Sequence, residues 1–195
     1  MAYPTVSSPY GLKPVNLIGG RVYAGSTRMF PIVNGYGTSL FNGDVVQLGT
    51  TTNIGALVSS AITYNQSSAV AGTIGVFVGC EYTNPGTQQR VRAQYWPSGT
   101  VAQDAVAYVI DDPRAVFKVA ATVQGSSLSN TSTSIGYFSE TFVGTNVYAI
   151  TGAAGSSTTG DSAMSVSGGV ITSGTSGNTR VATLLPFRVV QLVPD

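Results

Sequence analysis

Arg90-Val-Arg-Ala-Gln-Tyr-Trp96 alternates cleanly over its first half, with Val91, Ala93 and Tyr95 on one side and Arg90, Arg92 and Gln94 on the other. A period of two belongs to extended backbone, so the stretch reads as a half-exposed β-strand. Pro97-Ser-Gly-Thr100 turns the chain. Val101 to Ile110 follows and becomes apolar on both faces in its second half, through Ala105, Val106, Ala107, Tyr108, Val109 and Ile110. A strand of that kind is buried on both sides. One side is expected to be core and the other a subunit contact, which makes Val106 and Tyr108 candidate contact residues. Asp111-Asp112-Pro113 breaks the strand, and Val116 to Ala121 reads as its return.

Towards the N-terminus the same signals repeat. Thr73-Ile-Gly-Val-Phe-Val78 carries β-branched and aromatic residues, with a glycine that disfavours helix. Arg28-Met-Phe-Pro-Ile-Val33 is extended and apolar, and Asn34-Gly35 after it is a turn signal. Phe41-Asn-Gly-Asp44 is a second turn, leading into Val45-Val-Gln-Leu48. No amphipathic helix of normal length is evident. The expected fold is mainly β, a small β-barrel or β-tulip-like domain over residues 21–121 and 181–195. Its closing strand is Thr183 to Val193, in which Arg188 is expected to face solvent by alternation.

Two segments flank that plan. Residues 1–20 carry Pro4, Pro9 and Pro14, which block helix. They read as an extended N-terminal arm whose apolar side chains seek a surface, through Tyr3, Pro9, Tyr10, Leu12, Pro14, Val15 and Leu17. Either that surface belongs to a partner, along which the arm adds strand-like hydrogen bonds, or it belongs to the chain's own domain. Residues 122–180 are rich in Gly, Ser and Thr and read as an insertion or loop subdomain.

Charged residues make up 9% of the 195-residue chain, against about 25% in an ordinary soluble domain. Hydrophobic content is an ordinary 43%, so Ser, Thr, Gly, Asn and Gln have replaced the charge. A surface with so little charge points to self-association or docking. The net charge is +1 and the lysines are Lys13 and Lys118. Phosphate neutralisation needs more than that, so no nucleic-acid partner is expected. Without a basic n-region or a long apolar run, the chain is expected to be made in a cytoplasm, with no membrane partner.

Histidine is absent, which removes the commonest general base and metal ligand. Cys80 sits in an apolar stretch and reads as a buried structural thiol. No phosphate cradle, nucleophile elbow or catalytic triad is present. Glu81 with Asp111 or Asp112 is the one conceivable carboxylate pair, but Asp44, Asp104, Asp111 and Asp112 sit at turns, where Asp bonds local backbone. The expectation is a non-enzymatic protein without a cofactor or metal. Trp96 is a core or interface anchor, with core the preferred reading.

Tyr10-Gly-Leu-Lys-Pro-Val15 and Arg28 to Val46 together resemble small virion proteins of tailed bacteriophages. So do Ile74 to Gly79, Tyr95 to Thr100, Tyr108 to Pro113 and Leu185 to Val193. The resemblance is to capsid decoration (cement, head-stabilising) proteins and covers residues 10–120 and 181–193. It implies a β-barrel or β-tulip-like domain, homotrimers on the outer capsid surface, and a major capsid protein as partner. Such proteins bridge neighbouring capsomers. The alternatives are another virion component (tail, fibre or vertex protein) and, from a different class, a carbohydrate-binding module using tyrosines and Trp96.

Overall fold

The fold is known from a computed structural model, which describes residues 9–48, 57–59, 73–122, 142–151, 155–167 and 187–193. It is mainly β and consistent with a small β-barrel-like domain, with a curled half-barrel sheet. The strands are β1 (Lys13–Leu17), β2 (Arg21–Val22), β3 (Arg28–Pro31), β4 (Leu40–Phe41), β5 (Val45–Leu48), β6 (Leu57–Ser59) and β7 (Thr73–Thr83). They continue as β8 (Arg90–Ala93), β9 (Tyr95–Trp96), β10 (Val106–Ile110), β11 (Ala115–Lys118), β12 (Ala121–Thr122), β13 (Asn146–Thr151), β14 (Met164–Ser167) and β15 (Phe187–Arg188).

The long strand β7 is the spine. β10 pairs along one side of it, and β5 and then β8 pair along the other, giving the sheet order β3-β10-β7-β5-β6 with β8 attached to β7. All of these pairings are antiparallel. The first half of β7 alternates between two cores. Val76 faces a cluster with Leu12, Val45, Ala149 and Met164, while Phe77 faces a larger one with Leu40, Val46, Trp96, Ala107 and Val109. Val45 and Val46 of β5 divide in the same way, which is why this dipeptide is apolar on both faces.

A β-bulge then resets the alternation. Tyr108 pairs with Gly79 but Val109 pairs with Phe77, so Val78 is the extra residue. Beyond it Cys80 and Tyr82 point into the larger core and Glu81 points out. Without the extra residue that order would be reversed. Gly79 is required here because a Cβ would approach the Ala93 carbonyl oxygen to 2.9 Å.

The second core exists because other parts of the chain lie over one end of the sheet. β1 pairs with β11 and β2, and β13 carries β14 and β15 in a four-stranded sheet with β12. Residues 115–118 therefore do not return alongside β10 as expected but leave the main sheet to pair with β1. The described part of the Gly/Ser/Thr-rich region is not a peripheral loop either. Val147, Ala149, Met164 and Val166 are buried, and the 160–164 segment bonds to the turn at Asn42 and to Gly11. The remainder of 122–180 lies outside the described residues. At the C-terminus the strand is shorter than expected, covering Phe187–Arg188 of the described residues, and Arg188 is exposed, as alternation requires.

Candidate interaction site

From Pro9 onward the N-terminal segment packs on its own domain. The Leu12 side chain is 1% exposed within the second core. Its N–H donates to the Gly43 carbonyl at 3.0 Å, and the Gly11 N–H donates to Met164 at 3.1 Å. Leu12 is thus a core residue and not a contact offered to a partner. Its burial follows from the tight approach of Gly11 and Gly43, where a Cβ on Gly43 would come within 2.7 Å of the Leu12 nitrogen. Pro9, Tyr10, Pro14 and Leu17 are half-buried, and Val15 is 56% exposed. Tyr3 lies outside the described residues.

Trp96 is fully buried, edge-on to Tyr82 with ring centroids 5.1 Å apart. It is a core anchor, and a saccharide-stacking role for it is removed. Val106 and Tyr108 are half-buried on the outward face of β10. Farther along that strand, Ile110 is covered by the chain itself, so the two-sided apolar character there is satisfied internally.

A polar joint fastens the N-terminal strand to the 160–164 segment. Lys13 Nζ donates to Asp161 Oδ1 at 2.5 Å and to Asn42 Oδ1 at 3.3 Å. Beneath it Asp44 is 8% exposed. The Asp44 carboxylate accepts the Phe41 N–H at 2.8 Å and the Ser162 hydroxyl at 2.5 Å. Burial pushes its pKa above the usual carboxylate range, against the opposing pull of those two hydrogen bonds and the Lys13 charge.

The outward face of β7, β8 and β10 carries a second network. Glu81 accepts the Tyr108 hydroxyl at 2.6 Å and pairs with Arg90. The Tyr108 and Arg90 hydrogen bonds hold its carboxyl below its usual pKa. The Arg92 guanidinium lies over the Tyr108 ring, 5.0 Å from its centroid. Asp104 interacts with its own backbone N–H, in keeping with its turn position, and also bonds across to Thr83, at 3.1 Å to the N–H and 2.6 Å to the hydroxyl. Asp111 pairs with Arg28 at 2.9 Å, and Asp112 accepts the Arg114 N–H at 2.8 Å. Glu81, Asp111 and Asp112 therefore each have separate partners. Burial pushes the Cys80 thiol up to about 12, in keeping with a structural role.

Sequence reasoning missed both networks. The polar face Arg90/Arg92 was the visible signal for the second. Nothing local links Lys13 to Asp161. Among the described residues, no group of His, Cys, Asp and Glu is arranged to hold a metal ion, and no helix is long and apolar enough to cross a membrane. Among the exposed apolar side chains, Val15, Ile18 and Val22 lie on β1, β2 and the turn between them, Val22 at 83% exposure, while Met29, Val101, Val143, Val190 and Val193 lie on other segments. No family model, curated protein or solved structure matches the chain.

Proposed function

We propose that this chain is a non-enzymatic virion protein that binds the outside of a tailed-phage capsid and stabilises the shell by bridging capsomers, as a homotrimer. The observation that supports it most is the exposed apolar edge formed by Val15, Ile18 and Val22, next to the N-terminal segment. A charged content of only 9% over the whole sequence adds to it. Exposed apolar groups beside a short, open sheet edge are the usual material of protein contacts. A joint of this kind buries roughly 1,200–2,000 Å² in total. Repetition around a shell multiplies a modest affinity.

The test is the copy number in purified particles relative to the major capsid protein. A ratio near parity is expected. A few copies per particle would move the protein to a tail, fibre or vertex, and absence from particles would overturn the virion reading.

A further inference from the structure

The second core covers only one end of the main sheet's outward face. At Val76 and Ile110 that face is buried, while at Gly79 and Tyr108 it opens into a cleft of about 340 Å3. The bulge at Val78 forms part of its floor, and bulges are favoured where a sheet must re-aim side chains. Gly25 and Thr27, from the loop before β3, form one wall, and Arg92 and Gln94 form another. The size suits a single sugar ring, at the small end of ligand sites.

Arg92 marks the chemistry. Lys13, Arg28, Arg90 and Arg114 all have carboxylate partners, whereas Arg21, Arg92, Lys118 and Arg188 have no ion pair among the described residues, and of these four Arg92 is the one that lines the cleft. Arg92 makes no hydrogen bond among the described residues either; the Glu81 carboxylate lies across the ladder from it and feels its charge, but bonds Arg90 and Tyr108. It is nonetheless held in place. Glu81 fixes the Tyr108 hydroxyl, and the Tyr108 ring carries the guanidinium plane. A planar fork oriented in advance and left without an acceptor suits a carboxylate, which it can bind through two parallel hydrogen bonds. The Thr27 hydroxyl, the Gln94 amide and the backbone at Gly25 add neutral donors and acceptors, which match sugar hydroxyls better than an aliphatic acid.

We infer that this cleft binds a single acidic monosaccharide unit of the uronic-acid type, its carboxylate on Arg92. The site is separate from the apolar edge at Val15 and Val22 and does not depend on the capsid reading.

The test is a titration of the isotope-labelled full chain at low salt, followed through its backbone amide signals, with sodium glucuronate, sodium glutarate and glucose. Glucuronate is expected to shift Gly79 and Gln94 saturably, with half-saturation on the order of 1–10 mM, and glutarate and glucose to act more weakly. Arg92→Gln is expected to weaken glucuronate about tenfold with the rest of the spectrum unchanged, and Arg92→Lys to fall between. Absence of saturable shifts, unchanged binding by Arg92→Gln, or glutarate or glucose binding as well as glucuronate would each overturn the assignment.

Discussion

Asp44 shows how a single side chain can tie distant segments together at a cost. Its carboxylate satisfies the Phe41 N–H and the Ser162 hydroxyl. Ser162 in turn accepts the Met164 N–H at 2.9 Å, which sets Met164 into the second core. Burial nonetheless favours the neutral acid, so the folded chain holds this proton more tightly than the unfolded one. The contribution to stability is complete below the ordinary Asp value of 3.8. It is lost as pH rises through the higher folded value, because the folded state is then the one binding more protons. Glu81 and Asp104 are shifted downward and act in the opposite sense, so the comparison must isolate Asp44. Relative to wild type, Asp44→Asn is expected to gain stability as pH rises from the ordinary Asp value of 3.8 to the higher folded value, and then to hold that gain. Denaturant unfolding across that range checks it, and a difference that stays constant with pH would refute it. Asp44→Ala, which orphans the Phe41 N–H, is expected to cost about 1–3 kcal/mol below the ordinary Asp value and less as pH rises.

At the scale of elements, much of the β content was legible. Alternation marked β8, with Arg90 and Arg92 exposed and Val91 and Ala93 half-buried. Turn chemistry marked Phe41 to Asp44, where Gly43 has φ 102° and the Asp44 N–H donates to Phe41 at 2.9 Å. Pairing was not legible. β1 and β11 meet across roughly a hundred residues of sequence, and periodicity states which side of a strand is apolar but not what will cover it. The bulge hid the outward site for a related reason. It reverses the faces of β7 beyond Val78, so Glu81, Tyr108 and Arg92 come together only once the extra residue is counted. Trp96 was legible as core, whereas for Leu12 the sequence leaves a partner contact and the chain's own domain both open, because its proline neighbours conceal a buried strand entry. That burial changes how the N-terminus should be cut. Leu12→Ala is expected to cost about 2–5 kcal/mol through the cavity it leaves, and removal of residues 2–18 is expected to unfold much of the second core. Removal of residues 2–8 keeps β1 and Leu12 in the chain and is expected to destabilise it less than removal of residues 2–18. If both truncations melt like the full chain, Leu12 is not the anchor that its burial indicates.

For the molecule as a whole, the question is which force holds it to a partner. Most of the described charges are already engaged. Lys13 with Asp161, Arg28 with Asp111, Arg90 with Glu81 and Arg114 with Asp112 are internal pairs, and exposed pairs of this kind contribute little to stability. Under the proposed docking on a shell, long-range electrostatic attraction would therefore be weak, and association would come from apolar burial at the β1–β2 edge together with backbone pairing there. These terms respond to salt in opposite directions. Screening weakens contacts between charges, while salts excluded from the protein surface strengthen apolar burial. Capsid association by the full chain is thus expected to change by less than about tenfold between low salt and 1 M NaCl. The double variant Val15→Ser with Val22→Ser is expected to weaken it by about tenfold or more, from roughly 1 kcal/mol or more lost per buried side chain, without moving the thermal midpoint, since both residues are exposed in the free chain. Co-sedimentation with shells at the two salt concentrations separates the terms. Release at high salt with an unaffected serine variant would mean that charge holds the contact, and the docking surface would then have to be sought on the Arg90–Arg92 face instead.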